Sequence, residues 1–322
     1  MIRLLYLIAL GLGLACSCDG DRRSKKSAAK ARIGAAVGSS PLHQAAGEAL
    51  DISTLTRDRN LFSRLIYMPF QEARLRLGEA LVWRGEARLS FTVAGRPSLS
   101  LSEEAEIQDD PAKDALDVLV KNDGGFSQRI IHSNGMLYRR YSQGQFIAQR
   151  DLDGERWKHA DQAYGLAAMG LDLVGHLIGL GPAQPQSILG RKASCFPFVA
   201  SQEELSFQGV KRPERPQGAD LKAWRQGLSL ESVTGTLCVE VATGTVLSSR
   251  LRFRAARKVE EGKAAFLHLE ASAGYVALGD PAPVIQAPES YLESLKRARR
   301  ARPATGFLDG GPIKAAASPD AG

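Results

Sequence analysis

The chain has 322 residues, with 42 Lys and Arg against 35 Asp and Glu and a formal net charge of +7. Hydrophobic residues make up 44 % and charged residues 24 %, which excludes a polytopic membrane protein and a wholly disordered chain. Four cysteines exclude a disulfide-dense mini-protein. The charge sits at the ends: residues 1–32 hold seven basic and two acidic side chains, residues 289–322 hold six and four, and the stretch 33–288 is neutral. No basic stripe with interleaved aromatics lies in that neutral body, so nucleic acid is not an expected partner.

Residues 1–15 read as a secretory signal. Arg3 gives a short positive start, and residues 4–15 (LLYLIALGLGLA) form an unbroken apolar run. Twelve residues at the helical rise span about 18 Å, too short for a hydrocarbon core of about 30 Å. The run ends at Ala15-Cys16-Ser17-Cys18, which resembles the cleavage box of bacterial lipoproteins. Cys16 is the expected lipid-modified residue and Cys18 the alternative; an ordinary cleaved signal is the competing reading. Residues 16–58 are expected to be a flexible basic linker from the lipid anchor. Its Ala, Gly, Ser, Lys and Arg cannot bury enough apolar surface to offset their ordering entropy. The cluster from Arg22 to Lys30 suits anionic headgroups or plain solvation equally.

The expected folded body is 59–288. A helix over 61–80, interrupted near Pro69, precedes alternation from Trp83 to Val93, with Ala87, Leu89, Phe91 and Val93 on one face and Glu86, Arg88, Ser90 and Thr92 on the other. Residues 98–107 alternate again. Asn122-Asp123-Gly124-Gly125 and Ser133-Asn134-Gly135 are hairpin signals, because Asn, Asp and Gly accept positive φ. Short strands at 115–121, 126–132, 136–141 and 145–150 complete an antiparallel meander.

Residues 159–180 (HADQAYGLAAMGLDLVGHLIGL) change to helical spacing. Leu166, Met169, Leu173 and Leu177 recur at three and four, and Ala167, Leu171, Val174 and Ile178 form an adjoining stripe. A helix this apolar must be covered on most sides. Gly165, Gly170, Gly175 and Gly179 soften it, as a movable lid would require; a plain core helix is the equal alternative. Strands resume at 187–199, 203–210, 227–233, 237–241, 246–255, 264–273 and 276–278, with a last short strand at 284–288. Residues 289–322 are expected to form a basic helix and a disordered tail. Cys195 and Cys238 lie in strand-like sequence and are either a disulfide or two buried thiols.

A lipid-anchored chain with a basic linker and about eleven antiparallel strands interrupted by apolar helices resembles the LolA/LolB superfamily, including the LppX/LprG type of envelope lipoproteins. The likeness spans roughly residues 60–288 and includes the Leu237–Leu247 hairpin and the closing strand ending at Pro288. It implies an α+β fold: a single curved antiparallel sheet, a half-barrel, with apolar helices over its concave face. It further implies a hydrophobic cavity for acyl chains or lipoproteins, and it assigns no individual binding residue. Independently, one curved sheet has an inner face that helices must cover or a ligand must fill.

Catalysis is not expected, and neither is a cofactor. His43, His132, His159, His176 and His268 show no metal-ligand spacing, and no nucleophile elbow or phosphate loop occurs. His132, before a turn, is expected in solvent, and His176 in the core. Glu103, Glu104, Glu106, Asp109 and Asp110 read as a solvated strand face rather than a metal site. The expectation is therefore an exported bacterial lipoprotein facing the periplasm or the outer surface. It would bind lipid or acyl ligand along the helix carrying Leu166, Met169, Leu173 and Leu177. The alternative is a tethered adaptor that binds an envelope protein and no small ligand.

Overall fold

A computed structural model describes residues 50–93, 98–151, 154–201, 227–258 and 264–293, except the side chains of 172, 173 and 258. The signal, Cys16, Cys18, the strand expected at 203–210 and the chain beyond 293 lie outside the described residues.

Two short helices open the body, α1 (Arg59–Ile66) and α2 (Phe70–Leu77). Asp58 caps α1, its carboxylate accepting from the Leu61 amide at 3.0 Å. Pro69 separates the two helices, and Gly78 ends α2 in the left-handed region at φ 69°. The linker expected to reach residue 58 gives way earlier: Ile52 and Leu55 are already buried in the core.

The meander follows as β1 (Leu81–Val93), β2 (Leu99–Asp110), β3 (Ala115–Asn122), β4 (Ser127–Ser133), β5 (Met136–Tyr141) and β6 (Phe146–Arg150). Asn134 and Gly135 both take positive φ, 51° and 73°, as a two-residue hairpin turn requires. After α3 (Glu155–Tyr164) the chain returns as β7 (Ile178–Leu180), β8 (Gln184–Ile188), β9 (Arg191–Ala200), β10 (Leu228–Glu240), β11 (Val246–Lys258) and β12 (Ala264–Leu278), and closes with β13 (Tyr291–Glu293). All thirteen strands join one unclosed sheet in the order β13-β6-β5-β4-β3-β2-β1-β12-β11-β10-β9-β7, with β8 also on β9. Every pairing is antiparallel except β13 with β6. There is no second stacked sheet among the described residues. The half-barrel expectation therefore holds, with more strands than eleven.

Several sequence expectations are corrected. The strand expected at 187–199 is a hairpin, turning at Leu189-Gly190 with φ 50° and 77°; Leu in that position carries no turn signal. Residues 284–288 form no strand, and 291–293, expected in a basic helix, pair with β6 instead. The segment reaching β13 crosses the outer face, where Ile285 packs on Ile131, Tyr138, Phe146 and Ala148. That small second core explains why β4 is buried on both faces. Cys195 and Cys238 are directly opposed on β9 and β10, and their sulfurs are bonded at 2.10 Å.

At Gly235 of β10, φ is 126° and an added Cβ would lie 2.0 Å from the Arg250 carbonyl oxygen. Only a residue without a side chain allows β10 and β11 to approach there. Gly235→Ala is expected to destabilise the protein by at least about 2 kcal/mol, read as a lower urea midpoint with unchanged slope.

Candidate functional site

The inner face of the sheet is a wall of alternating apolar residues. β1 supplies Leu81, Trp83, Ala87, Leu89, Phe91 and Val93, and their β12 partners Leu269 and Leu267 oppose Leu89 and Phe91. β11 adds Leu251 and Phe253. Each such side chain, fully buried, contributes about 1.5–3 kcal/mol relative to exposure.

What covers this wall is a plug rather than the continuous helix expected over 159–180. α3 ends at Tyr164, and the chain goes on as a 3-10 turn (Gly165–Ala168), the single-turn α4 (Leu171–Val174) and another 3-10 turn (Gly175–Leu177). Changing from 3.6 to 3 residues per turn rotates the buried stripe. Leu166, Leu171, Val174 and Ile178 are buried, whereas Met169 and Leu177 are half-buried; the Leu173 side chain is not among those described. The adjoining stripe therefore carries most of the plug's contact.

The closest contact is made by a glycine. A Cβ on Gly170 would lie 2.3 Å from Leu269 Cδ2 and 3.0 Å from Phe253 Cε1. Both partners are fully buried, so the wall has no room to yield. Beneath the plug, the Tyr164 ring packs tilted against Trp83, centroids 5.1 Å apart, and edge-on against Phe70 at 5.6 Å, and its hydroxyl meets that of Tyr275 at 3.2 Å. Burial pushes the Tyr164 hydroxyl up to about 12, so it remains a neutral hydrogen-bonding group.

Polar bonds fix the plug at its ends. Arg59, at the start of α1, donates to the carbonyls of Gly175 at 3.0 Å and Ile178 at 2.7 Å. Burial lowers its guanidinium to about 10, which leaves it charged at neutral pH. Asp161 of α3 accepts from the Phe70 amide at 2.8 Å, so α3 caps α2. The seam where α2 and α3 meet the sheet is ionic. Arg74 donates to Asp109 at 2.6 Å and lies 5.0 Å over the Trp157 ring. Arg156 donates to Asp114 at 3.0 Å and to His132 Nε2 at 2.8 Å, while His132 Nδ1 donates to the Asp114 carbonyl at 2.8 Å.

Two expectations fail at this seam. His132 is buried rather than solvated, and burial, then the Arg156 charge, lowers its pKa. Asp109 and Asp110 are buried rather than on a wet face. Burial raises Asp109 to about 6 despite Arg74. His176 is half-buried on the plug. Of the expected acid patch, Glu104 and Glu106 stay on the outer face, where Glu106 binds Arg84 and Glu104 binds Lys121, whereas Glu103 opposes Ala87 on the inner row and is half-buried. No group of three metal-ligating side chains occurs among the described residues.

The cover is uneven. By register the inner row of β4, β5 and β6 keeps Ile130, His132 and Leu137 buried at the α3 end, and toward the other end, with β13, it reads Gln128, Arg139 and Tyr141, Ile147, and Leu292. Arg139 is bound to Glu155 of α3, but Tyr141, Ile147 and Leu292 are 49 %, 45 % and 56 % exposed. The wholly apolar half of the concave face is thus sealed by the plug, and a mixed margin is open. Sequence spacing alone missed Gly170, Arg59, Trp83 and this margin. A glycine between two apolar stripes was the one available signal for the close contact.

Fold and site define a class: an unclosed single-sheet half-barrel with a segmented plug over its concave face. No protein-family model and no curated protein sequence matches the chain. Among solved structures it is similar to a LolA superfamily protein from Nitrosomonas europaea, at 8 % identity over 66 % of this chain and 90 % of that one, with TM-score 0.18. It is also similar to a domain from Vibrio parahaemolyticus described as outer membrane lipoprotein-sorting, at 8 % identity over 64 % and 90 %, with TM-score 0.20. These are likenesses of fold, and no residue role is taken from them.

Two outcomes are expected. Arg59→Ala frees two plug carbonyls and should speed amide exchange across 165–180 while β11 and β12 stay protected. Asp109 has a raised folded pKa, so its contribution to stability is full below about pH 4 and is lost as pH rises through about 6, by up to about 3 kcal/mol. The unfolding free energy of the native chain minus that of Asp109→Asn should fall across pH 4–7; a constant difference refutes this.

Proposed function

We propose that the protein is an exported bacterial lipoprotein, anchored through Cys16 or alternatively Cys18. On this reading it carries a lipid or acyl chain on the concave face of its half-barrel and catalyses no reaction. The observation that carries this reading is the nature of the cover. A second sheet would seal the apolar wall permanently, whereas here a chain of short turns broken at Gly165, Gly170 and Gly175 lies on it. Such a segment has few backbone bonds of its own and can be displaced as a unit once its anchors release. Partial exposure of Met169 and Leu177 leaves apolar surface on the plug itself. The signal-like start and the lipoprotein-like cysteines support export and anchoring to the envelope.

Native mass spectrometry of the purified chain, before and after organic extraction, tests the carrier role. A mass decrease on extraction, abolished in Leu177→Asp, is expected. An unchanged mass, with an envelope protein recovered by crosslinking, would favour the adaptor instead. Labelled palmitate should be incorporated by the native sequence and lost in Cys16→Ala; loss only in Cys18→Ala would move the anchor by two residues.

A further inference from the structure

We propose that the open margin of the concave face binds a long-chain carboxylate, whose head takes the place of the Glu155 side chain on Arg139 and Gln149. The proposal rests on the carrier reading and names its ligand as an acyl chain with a free carboxylate.

Arg139 stands where the sealed and open parts of the concave face meet. On its inner row it is opposed by the buried Ile130 of β4 and by Ile147 of β6. Its Nη2 donates to Oε2 of Glu155, the first residue of α3. The same oxygen accepts from Gln149 Nε2 at 2.6 Å. Gln149 opposes Leu137, two residues before Arg139 on β5, so both donors rise from inner rows of adjoining strands. The sheet therefore already binds a carboxylate at this point.

Glu155 fits that point incompletely. A guanidinium holds a carboxylate best through two parallel N–H bonds. Glu155 accepts from Nη2, while Arg139 Nε is buried with no hydrogen-bond partner among the described residues. A buried donor in that state is costly. A ligand carboxylate, unconstrained by a helix backbone, can accept from Nε and Nη2 together and still accept from Gln149. The exchange leaves the guanidinium paired with an anion, so no buried charge is stranded. Glu155 loses little by leaving. Its side chain is already 38 % exposed, and at the start of a helix a carboxylate in water remains well placed. The neighbouring carboxylate of Asp151 is committed elsewhere, to the Glu155 amide at 2.8 Å and to Arg156 at 3.4 Å.

The apolar part of the ligand has a row to lie on. Ile147 opposes Arg139, Leu292 of β13 opposes Ile147, and Tyr141 is the next inner residue of β5. All three are half-exposed. From β5 to β13 this row crosses two inter-strand spacings, about 10 Å. A charged fork at one end and aliphatic side chains at the other match the polarity of a fatty carboxylate.

The test uses the full chain at neutral pH and two probes of equal chain length, decanoate and decanol, below their micellar and solubility limits, with affinities read by calorimetry. The native chain should bind decanoate at least about fivefold tighter than decanol. Glu155→Gln removes the competing carboxylate, so it should raise decanoate affinity at least about fivefold and leave decanol within about twofold. Arg139→Gln should abolish the preference for decanoate. An ion pair that merely held α3 in place would move both variants in the same direction. No preference in the native chain, decanoate binding that Glu155→Gln weakens or leaves unchanged, or a preference that survives Arg139→Gln overturns the assignment, and decanol binding then leaves the carrier reading standing. Binding of neither probe overturns the carrier reading as well.

Discussion

A single open sheet has two faces, and only one of them can be wet. Among the described residues thirteen strands curve around one apolar wall with no partner sheet to share it. The wall is satisfied by chain from midway in the topology, after β6 and before β7. Its fit depends on Gly170, the point where plug backbone meets Leu269 and Phe253 with no intervening side chain. Burying those large side chains supplies the energy, and the missing Cβ supplies the closeness. A plug held in this way makes dense apolar contact while remaining a string of short turns.

The ionic seam has a different role. Arg74 of α2, with Asp109, Arg156, His132 and Asp114, lies where α2 and α3 meet β2, β3 and β4. A buried pair such as Arg74–Asp109 gains little net stability, since desolvation offsets attraction. At Asp109, burial outweighs a 2.6 Å contact with Arg74 and raises the carboxyl pKa. Such pairs nonetheless dictate register, because each charge left unpaired would cost far more than the pair contributes. The seam fixes how α3 lies on the sheet, and α3 in turn positions the plug through Tyr164 and caps α2 through Asp161.

Much of the scaffold was readable in advance because hairpins are local. Alternation from Trp83 to Val93 and the turns at Asn122–Gly125 and Asn134-Gly135 involve neighbours in sequence, and those strands fall where spacing puts them. What spacing could not show depends on partners far along the chain. His132 looks like a turn-side histidine until Arg156 and Asp114 enclose it. Asp109 looks solvated until Arg74 closes over it. The apolar stretch after Tyr164 has helical periodicity, yet its glycines and the curved wall beneath break it into turns and rotate its buried stripe. The parallel strand β13 depends on an outer-face crossing that no local signal encodes.

The two halves of the concave face differ in what they tolerate when empty. Leu251, Phe253, Leu267 and Leu269 offer water no hydrogen bond, so exposing them together would invite association with any apolar surface nearby. Gln128, Arg139 and Tyr141 interrupt the other half, and a surface so mixed can face water without penalty on that scale. The cover therefore belongs on the first half, where it is found, and must return there whenever it is displaced. The second half, with Ile147 and Leu292 half-exposed beside polar neighbours, is the part of the wall that can wait open for an occupant.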